Sequence, residues 1–298
     1  MGGQAKGRFT PIIAVSLALS AIGMWASPAG AAAPAAPTPV PGGQSAVAGV
    51  QCGGPKSRAL GGGFLAPGFS PQNNVTTIRT RLARTSRHSW EVGATSLGTE
   101  TGSILPLAYC TQLKGKQITA SARTVVAENS IGTATATCPR GYHAVSGGFD
   151  SPGFDLNGGG HVLTLTSMRL GDNAWQVSGV NPDFGGGVSP GQLVAYAYCL
   201  KGKPRITTVS VDATIGTGDP VNVDVLCPAR TRALSGGFDG HISVGPNGLS
   251  AAGTIDSYRL DPRSGWRATA TDAGEDPARV SSYVYCEPKP PVPKPVKG

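Results

Sequence analysis

The sequence predicts an all-β fold built from three tandem repeats with pseudo-threefold symmetry. Three observations lead there. One pattern of residues occurs three times in the 298-residue chain, at intervals of roughly 90 residues, which is long for a solenoid repeat and suits one β module or one third of a larger fold. Within each copy apolar and polar residues alternate with a period of two, and no segment after the N-terminal apolar run stands out as an amphipathic helix. Glycine (44) and proline (25) are abundant but dispersed among the alternating segments, as in a turn-rich β protein. Three small β modules in a row are the alternative arrangement of the same units.

The chain opens with Lys6 and Arg8, an apolar run from Pro11 to Ala26, and small residues at Ala29-Gly30-Ala31 and Ala31-Ala32-Ala33. This is the layout of a secretory signal peptide, assigned to residues 1–33; the run is too short to span a bilayer comfortably. No Arg-Arg pair precedes it and no Cys sits at the cleavage site, so neither a twin-arginine route nor a lipid anchor is indicated. The Ala/Pro/Gly-rich residues 34–43 read as a flexible leader. The mature chain is expected to be extracellular, in contact with the cell wall, with no membrane span.

The three copies cover residues 44–113, 114–202 and 203–287. Each is entered by an alternating strand that ends at a cysteine: Ala46, Ala48 and Val50 before Cys52, Ala134 and Ala136 before Cys138, Val221, Val223 and Val225 before Cys227. A second strand ends in Gly62-Gly63-Phe64, Gly147-Gly148-Phe149 or Gly236-Gly237-Phe238, and paired glycines in a strand mark a bulge or a close backbone approach. A variable Gly-rich loop follows. Next comes a strand through Arg81-Leu82, Arg169-Leu170 or Arg259-Leu260, and a hairpin turn into a strand carrying Trp90, Trp175 or Trp266. The last strand ends in Tyr109-Cys110, Tyr198-Cys199 or Tyr285-Cys286. Leu113-Lys114-Gly115-Lys116 and Leu200-Lys201-Gly202-Lys203 lead into an opening strand of the second and third copies; the first copy has only its Pro-rich leader there. The Lys/Pro-rich tail, 288–298, reads as an extended polyproline-type coil.

Export places the six cysteines in an oxidising compartment, where they read as three disulfides. Six cysteines allow many pairings, but each copy holds one near its start and one at its end. Pairing within each copy is the simplest solution: Cys52 with Cys110, Cys138 with Cys199, Cys227 with Cys286. A closed loop of this length contributes about 4 kcal/mol on the chain-entropy model. A zinc site is the rival reading, and it fails because there is no CxxC and no His recurs at a matching place.

No catalytic, metal-binding or cofactor-binding constellation stands out, and the expectation is a protein without enzymatic activity or cofactor. Gly187-Val188-Ser189-Pro190-Gly191 fits G-x-S-x-G, but Pro190 has no backbone N–H to offer an oxyanion. The segment from Asp155 to Gly160 begins like a calcium loop and then places glycine and threonine at ligand positions. His88, His143, His161 and His241 fall at different places in the copies and read as exposed or loosely packed. Asp272, Glu275 and Asp276 cluster in the third copy alone, as a solvated loop or as the carboxylates of a polysaccharide hydrolase. The net charge of +8, two of it lost with Lys6 and Arg8, is dispersed. It suits loose attraction to an anionic surface and argues against nucleic acid. The recurring aromatics, Trp90, Trp175, Trp266, Tyr109, Tyr198 and Tyr285, have two readings. They are large core anchors of modules otherwise filled by small residues, or three sugar-stacking sites, with Arg81, Arg169 and Arg259 capping the rings.

Cys138-Pro139-x-Gly141-x-x-Ala144 followed by Gly-Phe, in three copies, resembles the vitelline membrane outer layer protein I family, which implies a three-sided β-prism. The resemblance covers about a dozen residues per copy. The third copy departs at Arg230-Thr231 and the first at Cys52-Gly53, and no functional residue carries over. Leader and composition also resemble secreted proteins of high-GC Gram-positive bacteria. The functional expectation is a structural or binding protein of the extracellular space or cell envelope, with cell-wall polysaccharide or another extracellular protein as partner. A lectin-like module and a polysaccharide hydrolase are the alternatives.

Overall fold

A computed structural model of the protein describes residues 36–289, apart from 55, 112–114, 155–159, 183–188, 217–219, 246–247, 262–263 and 273–277. The signal peptide, most of the calcium-like loop, part of the G-x-S-x-G segment, Glu275, Asp276 and most of the tail lie outside the described residues.

The first repeat supplies β1 (Thr38–Val40), β2 (Ser45–Gln51), β3 (Arg58–Leu65), β4 (Thr77–Arg84), β5 (Ser89–Ser96) and β6 (Gly102–Thr111). The second supplies β7 (Gln117–Val126), β8 (Ser130–Thr137), β9 (Tyr142–Asp150), β10 (Leu163–Leu170), β11 (Ala174–Asn181) and β12 (Gly191–Lys201). The third supplies β13 (Thr207–Ile215), β14 (Val221–Leu226) and β15 (Thr231–Asp239), a small hairpin of β16 (Ser243–Gly245) and β17 (Gly248–Ser250), then β18 (Ala252–Leu260), β19 (Gly265–Asp272) and β20 (Ala278–Pro288). Alternation sets the faces: on β8, Ala134 and Ala136 are buried while Thr133, Thr135 and Thr137 face solvent. Among the described residues there is no α-helix, and hence no helix long and apolar enough to cross a membrane.

These strands form three six-stranded antiparallel sheets in a prism-like arrangement. Their orders are β2-β5-β4-β9-β12-β7, β8-β11-β10-β15-β20-β13 and β14-β19-β18-β3-β6-β1. Each sheet takes three strands from one repeat and three from another, and the last closes the ring between the third repeat and the first. Independent modules in a row are thereby excluded. The splices are narrow: β4 meets β9 at Leu82 and Phe149, β10 meets β15 at Ser167 and Phe238, and β18 meets β3 at Ser257 and Phe64.

The disulfides pair within each repeat, Cys52–Cys110, Cys138–Cys199 and Cys227–Cys286. Because the partners of each pair sit on different sheets, the three bridges tie each pair of sheets together once.

Two details differ from the sequence reading. Thr38–Val40, placed in the flexible leader, is a short strand on the edge of β6, with Val40 fully buried; an edge strand tolerates Pro39. The first repeat therefore does have an opening strand, though a short one. Pro288, placed in the tail, still pairs with Thr231.

Along the pseudo-threefold axis equivalent residues meet in layers. A β-bulge recurs at Leu60, Val145 and Leu234, and the three bulged side chains pack together. In the next layer Ser235 Oγ donates to Val145 O at 2.6 Å, and Gly61 closes against Ser146 and Ser235. Phe64, Phe149 and Phe238 form the third layer, with Phe238 edge-on to the other two at centroid distances of 6.2 and 6.3 Å. Such edge contacts add about 0.5–1.5 kcal/mol each to the burial of the rings.

Candidate functional site

The six recurring aromatics are brought together as three pairs, each joining two repeats: Trp90 with Tyr198, Trp175 with Tyr285, Trp266 with Tyr109, at centroid distances of 5.4, 5.6 and 5.3 Å. All six rings are buried. Each indole lies on a glycine of its own repeat: a Cβ on Gly62, Gly147 or Gly236 would stand 2.2, 2.1 or 2.1 Å from ring atoms. The second glycine of each pair faces a backbone carbonyl across the splice, with a Cβ on Gly63, Gly148 or Gly237 falling 2.3, 2.0 or 2.5 Å from the oxygen of Ser257, Leu82 or Ser167. The paired glycines are thus a close approach on both faces of the strand, next to the bulge.

Each tyrosine completes the splice. The phenol oxygen of Tyr109, Tyr198 and Tyr285 accepts from the backbone N–H of Arg259, Arg84 and Arg169 at 2.6, 2.6 and 2.7 Å. Burial pushes the three phenols well above their ordinary pKa. Rings enclosed in this way offer no face to a sugar. The expected cap at Arg81 is corrected as well. Arg84, paired with Trp90, is the equivalent of Arg169 and Arg259, and its guanidinium stands 4.4 Å over Tyr198 as that of Arg259 stands 4.6 Å over Tyr109. Arg81 pairs instead with Asp150 and Glu91. The Arg-Leu dipeptide of the first repeat is three residues out of register with the others.

A second bulge recurs at Thr80, Leu165 and Ile255, where β4, β10 and β18 begin. Beyond the phenylalanine layer these three strand starts surround a cavity of about 450 Å³. Apolar walls come from Phe69, Ile78, Leu97, Leu163, Leu165 and Ile255. The three equivalent positions just before the bulge all line it, and they are Arg79, Thr164 and Thr254.

Arg79 is only 9% exposed. Its guanidinium lies 5.0 Å over the Phe64 ring and donates to Ile255 O at 2.7 Å. Burial lowers its pKa to about 10, and the nearby charge of Asp256 pulls the other way. It therefore remains a cation at neutral pH. No carboxylate among the described residues lies within ion-pair distance of it. Asp256, itself raised by burial, accepts from Ala66 N–H. The hydroxyls of Thr77, Thr164 and Thr254, all on the cavity wall, have no hydrogen-bond partner among the described residues. A buried cation with no ion pair among the described residues and three hydroxyls without a described partner around one apolar space form a site that can hold a small polar head and an apolar body. Asp272 lines the same cavity.

Arg79 escaped the sequence reading because the repeats were registered on Arg-Leu. With the correct register, a lone cation opposite two threonines at matching positions is the visible signal.

One other cluster has the residue types of a hydrolase. His241 Nε2 lies 2.5 Å from Ser281 Oγ, and His241 Nδ1 lies 3.8 Å from Asp239 Oδ2. Ser281 is only 1% exposed and donates its proton to Asp212 Oδ1 at 2.6 Å, while Asp239 stands too far from Nδ1 for a hydrogen bond. A nucleophile needs access to its substrate, and this serine is almost fully enclosed. Among the other histidines, His161 is buried against Phe154 rather than loosely packed.

Compared with protein-family models and with curated proteins, the chain matches none.

Proposed function

We propose that this is an exported, non-enzymatic binding protein of the extracellular space or cell envelope, with the axial cavity as its ligand site. The observation that carries the proposal is Arg79: a buried cation, with no ion pair to any described carboxylate, at an axial layer where the other two repeats place threonine. Proteins rarely leave a buried charge without a partner unless something else supplies one. Three inter-sheet disulfides support an oxidising compartment. The hydrolase alternative would need a second carboxylate beside Asp272, which lines this cavity.

The test is thermal unfolding and two-dimensional NMR of the chain from Pro34 onward against a panel of small amphipathic molecules. A ligand that raises Tm and shifts the methyl signals of Leu165 and Ile255 supports the proposal; a panel that moves neither counts against it. Co-sedimentation with cell-wall sacculi over a salt series, run in parallel, tests the envelope part: binding that vanishes with salt leaves only the basic surface as attraction.

A further inference from the structure

We infer that the ligand of the axial cavity is an amphipathic carboxylate, with its carboxylate on Arg79 and its apolar chain along Leu163, Leu165, Ile255 and Leu97. This rests on the reading of the cavity as a ligand site and goes further by naming the chemistry of the ligand. Of its five N–H donors, the guanidinium gives one to the carbonyl of Ile255. Its remaining donors match a carboxylate, whose two oxygens accept in the same plane. The hydroxyls of Thr164 and Thr254, at the same level of the axis, can donate to the outer lone pairs. A cationic ligand would add repulsion to a buried cation that has no ion pair among the described residues. A neutral alcohol would bring it no counter-charge. A dianion would bring a second negative charge that the single buried cation does not match, into a cavity that also holds Asp272. The volume, about 450 Å³, lies within the usual range of small-molecule sites.

The probes are octanoate, octanol and octylamine, which share one chain and differ in the head. Binding is measured by calorimetry, and location by the methyl shifts of Leu165 and Ile255. Octanoate is expected to bind at least about tenfold more tightly than octanol, the increment of a charge-assisted hydrogen bond, with octylamine weakest. Octanoate affinity is expected to fall as pH drops through the acid's own pKa. Arg79→Gln should abolish the preference for octanoate while leaving octanol binding in place, and Arg79→Lys should keep part of it. Leu97→Trp, at a rim position 38% exposed, should exclude all three probes without changing the far-ultraviolet circular dichroism, and it serves if Arg79→Gln does not fold. Equal binding of octanoate and octanol, or an undiminished preference in Arg79→Gln, overturns the carboxylate assignment and leaves the cavity as a ligand site. Binding of none of the three probes overturns both.

Discussion

The two ends of the pseudo-threefold axis are built from the same strands and filled in opposite ways. At one end Leu60, Val145 and Leu234 present nearly identical side chains, interlock, and rest on a serine layer whose hydrogen bond is made. The void beside Leu60, between Tyr109 and Arg232, is only about 60 Å³. At the other end Arg79, Thr164 and Thr254 occupy equivalent positions, differ in size and charge, and surround about 450 Å³, with both threonine hydroxyls lacking a partner among the described residues. Matched residues on a symmetry axis close it; unmatched ones leave it open. Within one molecule, the matched end holds the fold together and the unmatched end is where we propose a ligand sits.

The sharpest way to break this division is to disturb the matched part. Gly147→Val would drive a side chain into the Trp175 ring, where a Cβ already has only 2.1 Å. No folded protein is expected, read as loss of the near-ultraviolet circular dichroism of the tryptophans, because overpacking against a rigid ring costs several kcal/mol. Phe238→Ala removes the ring that touches both other phenylalanines and should cost about 3–5 kcal/mol in urea unfolding. Alkaline titration probes the splices. The phenols of Tyr109, Tyr198 and Tyr285 are raised by burial, so their stabilising contribution is complete below the ordinary tyrosine pKa of about 10. Above it the unfolded chain ionises while the folded chain holds its protons, and stability should fall steadily with pH. Absorbance near the phenolate band should show these three tyrosines ionising only as the fold is lost.

Substitutions at the open end should have small effects of the opposite sign. Arg79→Met, which removes a buried unpaired charge, is expected to leave stability unchanged or raise it by about 1–3 kcal/mol in the same urea assay. A loss as large as that of Phe238→Ala would mean that Arg79 belongs to the structural part, and the comparison would fail.

How much of this was legible depends on the range of the interaction. The period-two alternation and the Gly-Gly-Phe, Trp and Tyr-Cys marks are local, and they reported strands, turns and repeats. The cysteine pairing followed because repetition breaks the ambiguity of six thiols. The splicing of β4 to β9, β10 to β15 and β18 to β3 was not legible, since the same alternating strands can pair within a repeat or between repeats. What decides it is the steric fit of Gly63, Gly148 and Gly237 against carbonyls of another repeat. The tyrosines were read as core anchors or as sugar-stacking rings, while the splice uses a hydroxyl that stands in for a strand carbonyl. Arg84 and Arg79 were missed for one reason. A dipeptide match fixed the register three residues away, and only cross-strand pairing to Trp90 corrects it. Val40 was hidden by the prolines around it, which an edge strand accepts.

The ring closure has a consequence in time. The bond from Ala66 N–H to Asp256 joins positions 190 residues apart, and that from Arg259 N–H to Tyr109 joins positions 150 apart. Each disulfide closes a far shorter loop, 58 to 61 residues long. The first repeat therefore has one edge of β3 unpaired until β18 of the third repeat exists. Contacts of such sequence separation make folding slow and leave strand edges open meanwhile. A ring that only the third repeat can complete delays the finished fold until that repeat has been made.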